Sequence, residues 1–318
     1  MTNWPVCIPR GSPEPTMTGK PFSENNPGQL SLLARGMRLL STGLFLLVCL
    51  LVALGVSFWK SLPDLSQLEN PQDTITMTVR DWQGDTHPYI LGPQNPDWTP
   101  LEDLPEHLPW AVIVAEDAMF YKHRGIDLDA IREALLYDWQ KQRMARGAST
   151  ITQQLAKNLF LSRDKKLSRK LREAVIAWQL ENRLSKERIL ELYLNMVELG
   201  PMVHSIAAGA RYHFDKPVAQ LSAAESAFLA AILPGPRVAF NPRKRPERVA
   251  ERAKTLVHYM QLRRVLEEPQ TEAARLEIDI IAGIAPEPLP PSEAIPFPSH
   301  LPLAQGERPE WHLPLTAS

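Results

Sequence analysis

The 21 residues from Leu39 to Trp59 contain no charged side chain, and no other feature of the chain constrains its fold as strongly. At about 1.5 Å per residue, a helix over this run spans ~30 Å, the hydrocarbon thickness of a bilayer. A soluble helix of that length would carry a polar face, and the stretch from Leu44 to Trp59 has almost nothing polar in it. Trp59 and Lys60 mark one interface; Arg35 and Arg38 mark the other. Arg10, Lys20, Arg35 and Arg38 all precede the span, so the positive-inside rule puts the N-terminus in the cytoplasm and everything after Lys60 outside. A cleaved signal peptide would need a 38-residue leader before its apolar core, and no Ala-x-Ala site follows. The run therefore reads as an uncleaved transmembrane helix.

This helix organises the rest of the chain. Residues 1–38, rich in Pro, Gly, Ser, Thr and Asn, read as a disordered cytoplasmic tail, 39–59 as the transmembrane helix and 60–73 as a short polar stalk. Residues 74–268 form the folded domain, and 269–318 a Pro-rich tail with nine prolines after residue 285. The net charge of −1 excludes a global attraction for nucleic acid. Only Cys7 and Cys49 occur, so the domain after the span has no disulfide and no Cys-x-x-Cys metal or redox motif.

Within the domain, Thr74–Arg80 alternates and is followed by Asp81-Trp-Gln-Gly84, which predicts a strand, a turn and a return strand over His87–Leu91. From Pro105 the pattern is helical. Helices are expected over 106–120 and 127–140, the second capped by Asp127. Leu171, Ala174, Val175 and Trp178 follow the i, i+3, i+4, i+7 spacing and predict an amphipathic helix whose core face includes Trp178. Ser185 starts another helix, and Ser222-Ala-Ala-Glu225 is a capping-box sequence opening an apolar helix that Pro234 and Pro236 end. A last helix is expected from Pro246 to about Glu267. The fold class is mainly α, with a small β-hairpin at the entry to the domain.

Three clusters carry chemistry. Glu116 follows Ala111-Val-Ile-Val-Ala115, and a carboxylate delivered from apolar surroundings tends to keep its proton, which suits a general base or acid. From the residues alone it reads equally as an ordinary helix-end acid beside Asp117. Ser149, Thr150, Thr152, Gln153, Gln154, Lys157 and Asn158 crowd donors and acceptors into ten positions. Residues 163–172 hold Arg163, Lys165, Lys166, Arg169, Lys170 and Arg172 against Asp164, six charges less one, or +5. Taken alone that block reads as a solvated face, with an anion clamp or an anionic-lipid patch as alternatives. Glu173 beside it reads by itself as a salt-bridge partner, although paired carboxylates also serve glycosyl chemistry. His123 has no second His at metal spacing and reads as packed or capping.

Taken together, these segments resemble the peptidoglycan glycosyltransferases of glycosyltransferase family 51. The resemblance runs from about residue 75 to 262 with five motifs in order. Glu116, Asp117, Phe120, His123 and Gly125 match E-D-x-x-F-x-x-H-x-G. Gly147 through Asn158 match G-x-S-T-I-T-Q-Q-L-x-K-N. Arg169, Lys170, Glu173 and Ala174 match R-K-x-x-E-A; Lys186, Ile189, Leu190, Glu191, Tyr193, Leu194 and Asn195 match K-x-x-I-L-E-x-Y-L-N. Ala230, Ala231, Leu233 and Pro234 match A-A-x-L-P. The sequence departs from the family where an aromatic-glycine pair is usual and His204-Ser205 stands, and where Tyr-Phe is usual and His213-Phe214 stands; a basic residue usual in the first helix appears one place off, at Arg132-Glu133.

The resemblance implies a lysozyme-like helical domain on one membrane helix at the outer face of a bacterial cytoplasmic membrane. It implies polymerisation of lipid II into β-1,4 glycan with inversion and release of undecaprenyl pyrophosphate. The absence of Ser-Asp-Asn and Lys-Thr-Gly triplets points to the monofunctional type. Glu116 and Glu173 would be catalytic. Ser149, Thr150, Gln153, Gln154, Lys157, Asn158, Lys165, Arg169 and Lys170 would bind the donor and its pyrophosphate. The resemblance requires no cofactor and allows a divalent cation, Mg or Mn, at Glu173. Its partners would be lipid II, the growing glycan, the membrane and other wall-synthesis proteins, with no nucleic acid. A catalytically silent scaffold and a lytic muramidase are the alternative classes.

Overall fold

The computed structural model describes residues 27–141, 149–161 and 167–284. The outer parts of both tails, the start of the second motif including Gly147, and Lys165 lie outside the described residues. Contacts divide the chain into one unit through Leu62 and a second from Pro63 onward.

Among the described residues, the first unit is a single helix, α1 (Pro27–Lys60). Its Gly36–Lys60 portion is long and apolar enough to cross a membrane, and none of it is buried, so the chain carries a helix able to anchor it in a bilayer. The helix begins twelve residues before the uncharged run, inside the stretch read as a disordered tail. Gln29, Leu30, Leu32, Leu33 and Ala34 are good helix formers, and extending an existing helix is far easier than nucleating one. Pro27 stands at the first position, where its missing N–H costs nothing.

The second unit opens with an extended segment that is no free stalk. Leu65 and Leu68 are each only 2% exposed. Arg188 donates from Nε to Leu68 O at 3.2 Å, and Arg183 pairs with Glu69 at 3.0 Å. A hairpin follows: β1 (Ile75–Arg80) and β2 (Thr86–Leu91) run antiparallel, Ile75 opposite Leu91 and Arg80 opposite Thr86. Met77 and Val79 face the core while Thr76, Thr78 and Arg80 face out, as the alternation predicts.

The helical body begins with α2 (His107–Glu116), apolar nearly all round and therefore central. It packs against α8 (Ala223–Ile232), which is buried along its whole length, and α9 (Pro246–Leu262). Between them in sequence come α3 (Leu128–Lys141), α4 (Ile151–Phe160), α5 (Leu167–Arg183), α6 (Lys186–Leu194), the short strand pair β3 (Glu198–Gly200) and β4 (Val203–His204), and α7 (Ile206–Phe214). The expected caps are present. The Asp127 carboxylate accepts from Ala130 N at 2.8 Å, Ser185 caps α6, and Ser222 and Glu225 form a reciprocal capping box on α8.

Two expectations differ from the structure. On α5 the buried face is Glu173, Ile176, Ala177 and Leu180, two positions out of phase with the predicted stripe. Leu171 and Trp178 are exposed, at 58% and 49%, so Trp178 is not core. The inward acid of the motif, Glu173, is met there by Arg169 and Lys170 of its own helix, and its charge also acts on Lys157 of α4. At the C-terminal end, α9 stops at Leu262, Arg264 turns in the left-handed region at φ 58°, and α10 (Glu268–Ile281) follows inside the segment read as tail. Ala274 and Ile278 of α10 are buried, Ser222 Oγ donates to Glu277 at 2.7 Å, and Lys254 pairs with Asp279. The domain thus extends through α10; prolines crowd only after residue 285, so composition placed the boundary too early.

Candidate active site

Glu116 is the last residue of α2, carried to the end of the apolar helix before Asp117 leaves helical geometry at φ −160°. Its side chain is 11% exposed. Oε2 accepts from Gln154 Nε2 at 2.9 Å, and Arg252 of α9 stands 3.5 Å from Oε1. Burial pushes the Glu116 carboxyl above its ordinary range, opposed by the Gln154 hydrogen bond and by the charges of Arg252 and Lys157. Gln154 is itself oriented: Tyr193 of α6, buried, donates its hydroxyl to Gln154 Oε1 at 3.1 Å, which leaves the amide nitrogen for Glu116.

Next to Glu116, Asp117 holds the start of α4. Its Oδ2 accepts from Ile151 N at 3.0 Å, placing a carboxylate at the positive end of the helix. His123 Nε2 lies 2.9 Å from Asp117 Oδ1, while His123 Nδ1 accepts from Gly125 N at 3.1 Å. The ring proton therefore sits on Nε2, and His123 has the packed role expected of it. Gly125, at φ +84°, runs so close to α5 that a Cβ there would lie 2.9 Å from Ala177 O.

The second motif divides by burial. Thr150 and Gln153, expected to bind substrate, are 2% and 3% exposed and form a capping box on α4. Thr150 also donates to Gly125 O at 2.7 Å. The Thr150 hydroxyl and the Gln153 side-chain oxygen hold the start of α4 in place, and Thr152 donates to Glu181 of α5 at 2.5 Å. Ser149, Gln154, Lys157 and Asn158 are the members that reach the surface of the cleft. Burial lowers the Lys157 ammonium from its ordinary value, and among its neighbours' charges Glu173 opposes this most, with Glu116 also contributing. Lys157 thus feels both carboxylates.

Glu173 is 2% exposed on the inner face of α5. Arg169 NH1 donates to Oε2 at 2.9 Å and Lys170 Nζ donates to Oε1. Lys170 also donates to Ser149 Oγ at 2.9 Å, tying the start of the second motif to the third. The two cations share one deeply buried carboxylate, so the loss of either leaves the other in place. A divalent cation at Glu173 does not fit this arrangement, since both oxygens are already held by resident cations. The described residues contain one grouping of three metal-type ligand atoms, Asp117, His123 and Asp127, within 4.8 Å of one another. Asp117 and His123 are engaged with each other there, and Asp127 caps α3.

Two participants had no sequence signal. Arg252 approaches Glu116 from α9, and donates to Ala115 O at 3.1 Å. Tyr193 sits in the fourth motif, but only packing reveals that it orients Gln154. Beside the carboxylates, a cavity of about 690 Å³ lies between the hairpin and the C-terminal part of α4, with Lys157, Asn158 and Arg169 in its wall.

The transglycosylase family profile matches residues 84–261, more than half of the 318-residue chain. Penicillin-binding protein 1A of Neisseria lactamica is 40% identical over 202 residues, 64% of this chain and 25% of the relative. Penicillin-binding protein 1A of Aquifex aeolicus is 41% identical over 223 residues, 70% of this chain and 30% of the relative. The chain therefore spans only a quarter to a third of the length of these relatives. A crystal structure of penicillin-binding protein 1A from Haemophilus influenzae overlays with a TM-score of 0.34 at 20% identity, covering 64% of this chain and 20% of that one. With the profile spanning the hairpin turn through α9, the chain belongs to the transglycosylase family, glycosyltransferase family 51.

Proposed function

We propose that this protein is a peptidoglycan glycosyltransferase of cell-wall synthesis that polymerises lipid II into β-1,4 glycan with inversion. The observation that carries the reading is the contrast between the two carboxylates. Glu116 is buried and raised, hydrogen-bonded by a neutral amide with Arg252 at 3.5 Å, whereas Glu173 is clamped directly by Arg169 and Lys170. The first environment suits a group that takes a proton; the second suits one that organises positive charge.

In this reading Glu116 removes the proton from the 4-hydroxyl of the acceptor's N-acetylglucosamine. The hydroxyl oxygen forms its bond to the anomeric carbon of the donor as the bond to the pyrophosphate oxygen breaks, and undecaprenyl pyrophosphate departs with that electron pair. Inversion follows from attack opposite the leaving group. Lys157, Arg169 and Lys170 stabilise the charge that gathers on the pyrophosphate, and Glu173 fixes the latter two in place. Ser149, Gln154 and Asn158 border the donor. Lys165, outside the described residues, would belong to the same basic set. Hydrolysis of a glycan by a muramidase would leave these cations without an anion to hold.

The N-terminus lies in the cytoplasm and the domain at the outer membrane face, where α1 confines it to the surface that holds its substrate; tethering raises local concentration without new contacts. The test is direct. Detergent-solubilised protein is incubated with labelled lipid II and penicillin, and the products are separated on a gel. A lysozyme-sensitive ladder from wild type and none from Glu116→Gln supports the polymerase; no polymer from folded wild type supports the scaffold reading instead.

A further inference from the structure

The cavity beside the carboxylates has a wall that the reaction above leaves unused. Five consecutive residues of β1, Thr76 to Arg80, line it. Successive strand residues point to opposite faces, so a run of five reaches the cavity through the strand's edge. Among the described residues, β1 pairs only with β2. Asp81 N donates to Asp85 O at 3.0 Å at the hairpin end, and Pro88, which has no N–H, stands opposite Thr78. Ladder bonds therefore run through Val79, Met77 and Ile75, and the amides of Thr76, Thr78 and Arg80 point away from β2. Arg80 O confirms that direction by accepting from Arg237 at 2.7 Å. The amides of Thr76 and Thr78 have no partner among the described residues.

The two edges of this hairpin are treated differently. Pro88 blunts the outer edge of β2, the usual protection against stray pairing. The edge of β1 is left open, and it faces Lys157 to Leu161 across the cavity. Arg80 and Lys157 stand on the two sides, and neither is in an ion pair among the described residues. The single carboxylate in the wall, Glu198, already accepts from Arg237 at 2.5 Å.

We infer that the open edge of β1 is a subsite for an extended, carboxylate-bearing peptide, which pairs with the Thr76 and Thr78 amides and places its carboxylate at Arg80. Strand addition supplies main-chain hydrogen bonds at such edges, and Arg80 supplies the charge complement. Lipid II, the substrate proposed above, carries a peptide on its disaccharide, and because the same cavity is walled by Lys157 and Arg169 of the carboxylate cleft, the occupant is that peptide. This assignment rests on the glycosyltransferase reading.

Thr78→Pro tests it, since it deletes an outward N–H without touching the β1–β2 ladder. Arg80→Ala removes the cation and leaves the backbone intact, and Thr78→Val keeps the amide as a control. The probe is soluble N-acetylmuramoyl-pentapeptide, titrated calorimetrically into full-length protein in detergent, beside the same compound with its terminal carboxyl amidated. Loss of one hydrogen bond, about 1 kcal/mol, predicts roughly five- to tenfold weaker binding in Thr78→Pro and wild-type binding in Thr78→Val. Arg80→Ala should weaken the acid form and leave the amide form unchanged. Wild-type affinity in both Thr78→Pro and Arg80→Ala would overturn the subsite, even if lipid II is polymerised normally. Variant-sensitive binding by a protein that makes no polymer would keep the subsite and remove the polymerase.

Discussion

The side-chain amide of Gln154 stands 2.9 Å from the Glu116 carboxylate with its nitrogen foremost. That orientation is imposed from behind by the Tyr193 hydroxyl, which occupies the amide oxygen. A buried acid held by a neutral donor keeps a higher proton affinity than one held by a cation. α4 thus tunes the group that α2 delivers.

Replacing Glu116 by Gln should lower kcat by about 10²–10⁴, the usual contribution of a general base, while raising thermal stability at neutral pH. A carboxyl raised on folding is penalised once pH climbs through its folded pKa, and the amide escapes that penalty. Below the ordinary value of 4.5 the carboxyl is protonated in both states and the two proteins should melt alike. Steady-state kinetics and melting curves at neutral and acid pH read the two effects separately.

Arg252→Ala should move the acid limb of the kcat/KM profile to higher pH. The reaction requires ionised Glu116, so activity rises as pH passes its pKa, and the limb lies above the ordinary carboxylate range because burial dominates. Arg252 favours the ionised form; its loss raises the pKa further. Arg252→Lys should restore the limb toward wild type. An unmoved limb in Arg252→Ala would remove either Arg252 as a tuner or Glu116 as the base.

Ser205→Gly should stabilise the domain by about 1 kcal/mol. Ser205 caps α7 at φ 79° and ψ 152°, a region that non-glycine residues enter at a cost of ~1–3 kcal/mol. Its hydroxyl accepts from Ala208 N at 3.0 Å, but exchanging a Ser cap for Gly costs only a few tenths. Denaturant midpoints at constant slope would register the gain; a loss of stability would show that the cap outweighs the strain.

Gly125→Ala should cost ~2 kcal/mol or more and depress activity with it. The new methyl would press on the α5 backbone beside Ala177 from a left-handed position. Because Gly125 also accepts from Thr150, the strain passes to the start of α4 and hence to Gln154. Chemical denaturation, with kcat measured on the folded fraction, separates the two losses.

Local signals foretold local structure. The Ser222–Glu225 box, the Asp127 cap, the hairpin alternation and the uncharged membrane run each depend on neighbours in sequence, and each appears where the pattern put it. The mainly helical fold follows from the helical periodicity, and the family from the five ordered motifs. What depends on distant neighbours was hidden. Arg252 meets Glu116 across 136 positions, and only the fold shows that Thr150 and Gln153 are buried and cap α4. The phase of α5 could not be read from apolar spacing because a buried carboxylate, Glu173, leads its inner face.

Helix α10 sets the practical limits for handling the protein. Cutting the chain at 268 would strip the cover from Ala274's and Ile278's neighbours on α8 and α9 and leave Lys254 and Ser222 without Asp279 and Glu277. A shortened version for crystallisation or screening should therefore end no earlier than Ile284, and an affinity handle belongs beyond that point.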